Sequence, residues 1–184
     1  MKQAAGDEEL EVATAAIKAL STTIELDELL VLIDLLVSSA SAEKSTAAKE
    51  ALKIAVLRMP DRDATFIKLL APMDGASATG KVNLLDLLGI VGGEKALKGV
   101  AAAARSGDDA AQDAATRVLG GWMSPDAAPV LLDLAKAGPE KFRIRCLRGF
   151  IRIPRQFDVS LKGRIAMCRD AMAAATRDAE KALV

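Results

Sequence analysis

The segment Asp109-Ala110-Ala111-Gln112-Asp113-Ala114-Ala115-Thr116-Arg117-Val118-Leu119 decides the fold, because its pattern returns at a fixed distance on either side. Thirty-one residues on, Arg143, Cys146 and Phe150 stand in the places of Gln112, Ala115 and Leu119. The same step upstream reaches Lys81, Leu84 and Leu88, and one step further reaches Leu57. The preceding helix repeats in the same register, with Leu69, Val100 and Leu131 followed by Leu70, Ala101 and Leu132. The joining residues agree as well, since Gly107 falls on Gly138 and Gly89 on Gly120. Apolar matches in two successive helices, plus a matching turn, mark an internal repeat of helix, short turn, helix. A single pair cannot cover its own apolar face, so copies stack and bury a shared core. The expected fold is all-α, a right-handed α-solenoid of antiparallel helix pairs. In that register Leu57, Leu88, Leu119 and Phe150 occupy equivalent places and are all expected to be buried.

Outward from this segment, helical periodicity runs nearly end to end and no alternating strand pattern interrupts it. One repeat domain, residues 1–184, is expected. Its units cover about 22–59, 60–92, 93–122 and 123–154, flanked by helices over about 8–20 and 159–184. Start signals recur at Thr22 with Glu25 (a capping box), Asp61, Asp108, and Ser124 before Pro125. Stop signals recur at Gly92-Gly93, Ser106-Gly107 and Gly138. Connections of two to five residues between such helices force antiparallel neighbours.

Composition narrows the chemistry. Among 184 residues, 51% are hydrophobic and 27% charged, which excludes a disordered chain. There is no His and no Tyr, and aromatic residues make up 3%. Without His the commonest general base and the commonest metal ligand are both missing, so a non-enzyme without cofactor or metal is expected. Lys plus Arg and Asp plus Glu number 25 each, so no overall basic excess points to nucleic acid or anionic lipid. Cys146 and Cys168 are too few for a disulfide framework and are both expected to be buried small hydrophobes. Met1 to Glu11 is polar and acidic, unlike a signal peptide. The most apolar stretch, Leu29–Val37, is broken by Asp34 and is too short to span a bilayer. A soluble domain is therefore expected, with its compartment and oligomeric state open.

The run Gly107–Leu119 resembles the second helix of a bacterial HEAT-like repeat of the type grouped with the phycobilisome lyases. That family favours Arg where Gln112 stands, then a small residue at Ala115 and Leu at Leu119. Ala128–Ile153, with Leu147-Arg148-Gly149-Phe150-Ile151-Arg152, is similar to HEAT-like domains inside large multidomain bacterial proteins, many of them exported. The resemblance covers about residues 42–184. It implies an armadillo-type superhelix that serves as one module of a larger protein. The helical pattern of Arg177–Val184, which stops without Gly, Pro or a polar cap, agrees with such a module.

Three stretches imitate catalytic motifs. Gly75-Ala76-Ser77-Ala78-Thr79-Gly80-Lys81-Val82 fits a phosphate-binding loop except at its last position, where Val82 lacks the hydroxyl that holds Mg²⁺. Such a loop should also follow a strand, whereas Phe66–Met73 reads as helix. Gly89–Gly93 lacks the spacing of a dinucleotide loop and reads as a helix stop. The acidic pairs Glu8-Glu9 and Asp108-Asp109 sit at helix starts, where negative charge favours the helix dipole. Trp122 is expected to plug the turn beside it, with ligand stacking as the alternative.

The strongest binding candidate is a basic ridge. Lys141 to Arg155 carries Lys141, Arg143, Arg145, Arg148, Arg152 and Arg155 and no acid. Arg117 precedes Arg148 by one repeat. Residues 1–92 have 9 basic and 14 acidic groups, net −5, while residues 93–184 have 16 and 11, net +5. A face paired internally, to acids such as Asp126 or Asp133, competes with a partner-binding ridge of Arg117, Arg143, Arg145, Arg148, Arg152 and Arg155. With Cys146, Leu147, Phe150 and Ile151 as the buried stripe, Arg145 and Arg152 are expected to be exposed. Arg148 is expected to be partly buried and paired.

The expected function is a non-catalytic protein–protein interaction scaffold, with Arg117, Arg148 and Arg152 meeting an acidic protein or another anion. The resemblance also supplies an alternative of another class, a nucleic-acid-binding domain like the HEAT-like DNA glycosylases, holding DNA on a basic concave face. The shortage of aromatic residues for base stacking counts against it.

Overall fold

The computed structural model describes residues 1–184 and is all-helical, without strands. Its helices are α1 (Lys2–Ala5), α2 (Leu10–Thr23), α3 (Leu30–Ser38), α4 (Ala42–Arg58), α5 (Arg62–Leu70), α6 (Ala78–Val91), α7 (Gly93–Ala103), α8 (Asp109–Gly120), α9 (Ala128–Ala137), α10 (Glu140–Gln156), α11 (Leu161–Ala174) and α12 (Asp178–Lys181). Single 3₁₀ turns, Leu26–Glu28 and Pro125–Ala127, lead into α3 and α9. No helix is long and apolar enough to cross a membrane. The chain divides into two compact units, Met1–Ala96 and Leu97–Val184. In the first, α4 is central, packing against α2, α3 and α6, while α5 packs on α6. In the second, α10 takes that role, packing against α8, α9 and α11.

The starts obey local chemistry. Asp61 accepts from the Ala64 amide, Asp108 from the amides of Ala110 and Ala111, Ser124 from Asp126, and Ser160 from Gly163. Each oxygen satisfies an amide that has no partner inside its helix. Thr22 and Glu25 form no capping box. Thr22 instead lies in the last turn of α2 and donates to the Ala19 carbonyl. After α6 the backbone turns at Gly92 and Gly93, with φ of +65° and +82°, a region where a side chain would clash. Within α12, buried Glu180 accepts from the amides of Thr176 and Arg177, and these bonds hold its carboxyl below the usual range.

Burial follows the 31-residue step from α6 onward. Gly80, Ala111 and Phe142 are buried, as are Leu84, Ala115 and Cys146, then Leu85, Thr116 and Leu147, then Leu88, Leu119 and Phe150. In the first helices Leu69, Val100 and Leu131 are fully covered. Two apolar matches fail. Leu70 is 41% exposed although its counterpart Ala101 is buried, and Leu57 is 72% exposed. The buried face of α4 is Ala48, Ala51, Leu52, Ala55 and Val56. Shifting by 32 rather than 31 places Ala48 on Gly80, Leu52 on Leu84 and Val56 on Leu88. The first repeat is one residue longer. A helix turns about 100° per residue, so this difference rotates Leu57 off the core.

The cysteines separate. Cys146 is buried and Cys168 is exposed, against the expectation for the latter, because α11 buries only Ala171 and Ala174, a stripe narrow enough to leave Cys168 at its edge. Burial pushes the Cys146 thiol up to about 11, against the lowering effect of the Arg145 charge. The thiolate is the reactive form. One equivalent of maleimide is therefore expected to enter the folded protein at pH 8, at Cys168, with the second entering only in denaturant. Mass spectrometry of the labelled chain checks this, and rapid double labelling would contradict a sealed Cys146.

Candidate functional site

The ridge cations lie on α10, with Arg117 on α8, and the structure assigns them unlike duties. Arg143 reaches back within its pair, its Nε donating to the Ala135 carbonyl of α9 at 2.8 Å. One repeat earlier, Gln112 makes the same move on the Ser106 carbonyl, just beyond α7. Carbonyls at helix ends lack intrahelical donors, so this register position supplies one. In these two pairs the long donor ties the second helix to the end of the first.

Two more cations form a ladder from α10 to α8. Lys141 Nζ lies 2.6 Å from Asp109 Oδ1, and Arg145 Nη1 lies 2.8 Å from Asp113 Oδ1. Arg145 also donates to the Asp113 carbonyl and to the Thr116 hydroxyl, at 2.9 and 3.1 Å. Thr116 is buried and donates in turn to the Gln112 carbonyl. The expected acids, Asp126 and Asp133, are engaged elsewhere. Asp126 accepts from the Ser124 hydroxyl, and Asp133 pairs with Arg105 at 2.6 Å. Both ladder pairs are separated by 32 residues, as is Lys95–Asp63 at 2.8 Å. Opposite charges one repeat plus one residue apart were the available signal for these pairs.

Arg152 donates from Nη2 to the Trp122 carbonyl at 2.6 Å and from Nη1 to Gln156. Its Nε is buried without a partner, and burial lowers its pKa. Trp122 is itself buried at the end of α8, the plug expected of it. Arg155 donates to the Leu183 carbonyl at 2.8 Å. Arg117 is exposed on α8.

Arg148 reverses the expectation. It is exposed and makes no hydrogen bond or ion pair, whereas Arg145 and Arg152 are half-buried and bonded. The buried stripe of α10 also includes Phe142, Gly149 and Ile153. Those three lie about 40° to 80° from Arg145 on the wheel, and they draw the centre of the stripe toward it. Arg148, on the other side of Arg145, is left opposite the core. With Ile151, Arg152, Arg155, Gln156 and Leu183, it lines an open cleft of about 450 Å³.

The motif imitations resolve structurally. Gly75 lies in the turn between α5 and α6, so a helix rather than a strand precedes it. The Gly80 amide, which a phosphate cradle would present, donates to Ser77 as the cap of α6. Asp108 is committed to capping α8. No protein-family model matches this chain, and no curated protein matches it.

Proposed function

We propose that this chain is a non-catalytic interaction scaffold, a module of HEAT-like repeats whose pairs are turns of an α-solenoid, and that it binds an acidic protein segment along the outer edge of α10. The repeated burial register supports the repeat assignment. The binding reading rests on one observation: Arg148 is exposed and unpartnered in the same cleft as Arg152 and Arg155. Elsewhere on the ridge, Lys141 and Arg145 are neutralised by Asp109 and Asp113, and Arg143 is engaged by a carbonyl. A free guanidinium presents several donors in a fixed plane that matches a carboxylate. Its neighbours Arg152 and Arg155 add positive charge without needing to release their own partners.

The test is Arg148→Glu with a polyglutamate peptide. Binding measured by fluorescence anisotropy is expected to weaken at least about tenfold, the scale of losing one charge-assisted contact. The melting temperature should stay unchanged, since exposed substitutions move stability by only about 0.5 kcal/mol. Unchanged affinity would remove Arg148 from the site. Tighter binding to duplex DNA than to the peptide, falling steeply with salt, would replace the acidic-protein reading with the nucleic-acid one.

A further inference from the structure

The last long helix carries a surface that the α10 edge does not explain. On α11, Leu161 is 75% exposed, Ile165 and Met172 are each 46% exposed, and Cys168 is exposed as well. Their spacings of 4, 3 and 4 place all four within about 60° of helix face, along about 16 Å of axis. The helix is held to its own unit beside the seam, through Ala171 and Ala174, which lie about 60° and 120° round the helix from Cys168. Such spacing is that of a coiled-coil seam, the pattern by which one helix meets another. Flanking the seam are exposed Lys162, Arg164 and Arg169, while the only acid on the helix, Asp170, lies on the far side and is half-buried. Lys162 and Arg169 make no ion pair, and Arg164 only donates its Nε to the Val159 carbonyl.

From this arrangement we infer that α11 is a docking face for an amphipathic partner helix with apolar residues at heptad spacing and Asp or Glu on its flanks. Charge complementarity selects that occupant. A second copy of α11 packed parallel would bring Arg164 against Arg169, and packed antiparallel would bring Lys162 against Arg169. Both arrangements oppose like charges across the seam. An anionic membrane surface would match the charge but not the shape. Helices that lie in a bilayer interface present a broad apolar face with aromatic residues. This seam is narrow, and its residues are Leu, Ile, Cys and Met. A partner helix instead buries the seam and brings its carboxylates to both flanks, as the e and g positions do in paired helices.

Two synthetic 21-residue heptad peptides test this, both with Leu at a and d, one with Glu and the other with Lys at e and g. Fluorescence anisotropy against the full chain is expected to show the Glu peptide binding at least about tenfold more tightly than the Lys peptide. The double substitution Leu161→Ser with Ile165→Ser should weaken the Glu peptide at least about tenfold, because two large apolar contacts are lost. Arg148→Ala should leave this binding unchanged, which separates it from the α10 edge. The charge reversal Arg164→Glu with Arg169→Glu should switch preference to the Lys peptide, a gain that unfolding cannot mimic. Equal binding of the two peptides would overturn the inference, as would indifference to the seam substitutions or loss through Arg148. It would also be overturned if sedimentation showed self-association that the seam substitutions abolish, or if phosphatidylserine vesicles bound through the seam while the Glu peptide did not.

Discussion

Phe150→Ala is expected to lower stability by about 3–5 kcal/mol and Leu119→Ala by about 2–5 kcal/mol, the range for large-to-small changes at covered positions. Leu119 is fully buried and Phe150 is 2% exposed. Each lies in the second helix of its pair, at the register position where that helix meets its neighbours, so truncation leaves a cavity that rigid helices close only in part. For a chain of this size, a loss of that order lowers the melting temperature by roughly 10 °C. Leu57→Ala, by contrast, should stay within about 0.5 kcal/mol of wild type, because a side chain 72% exposed has little burial to lose. Val56→Ala should cost more than Leu57→Ala, although valine is the smaller residue. Thermal or urea melts of the four variants check the register directly. A destabilising Leu57→Ala would restore the uniform 31-residue step, and a harmless Leu119→Ala would remove the repeat from the core.

Gly149→Ala is expected to destabilise by up to about 2 kcal/mol, although it replaces a poor helix former with the best one. A Cβ at Gly149 would lie 2.9 Å from the Cα of Gly120 and 3.1 Å from Cδ2 of Leu131. The first obstacle is backbone, so α8 and α10 would have to move apart. Overpacking of this kind typically costs about 1–3 kcal/mol, and the helix-propensity gain of about 1 kcal/mol offsets only part of it. The partner glycine gives the control. A Cβ on Gly120 meets nothing within 4 Å, and its φ is not positive, so Gly120→Ala should be neutral or mildly stabilising. Opposite signs at two glycines that touch each other would show that contact geometry sets the effect. Equal shifts in melting temperature would show that propensity does.

Much of the fold is legible because helices announce themselves locally. Asp61, Asp108 and Ser124 start structure where their side chains can accept from the amides that follow, and Gly92 breaks it where φ turns positive. The identical spacing of Leu88, Leu119 and Phe150 survives because an inserted residue would rotate the face away from its neighbour. Thr22 and Glu25 misled because the α2 pattern continues through Thr23, and a capping side chain inside a helix has no free amide to serve.

The candidate site was less legible. All six ridge cations could be named from charge alone, yet their duties depend on what lies across from them. Asp109 and Asp113 neutralise Lys141 and Arg145 because α8 lies beside α10, and the Trp122 carbonyl holds Arg152 for the same reason. Reading the wheel from four apolar residues misplaced its centre, since Gly149 carries no hydrophobic side chain and yet lies close against the backbone of α8 at Gly120.

By itself, then, the sequence determined that the chain is helical, where most of its helices start and stop, and the period at which their apolar faces recur from α6 onward. Those properties arise from hydrogen bonds and side chains within a few residues of one another. Only the tertiary structure decided that Leu57 faces solvent, that Arg148 is the unpartnered arginine of α10, and that α11 presents Leu161, Ile165, Cys168 and Met172 outward. Exposure and pairing depend on which helix packs on which face, and a one-residue difference in repeat length rotates that face by about 100°.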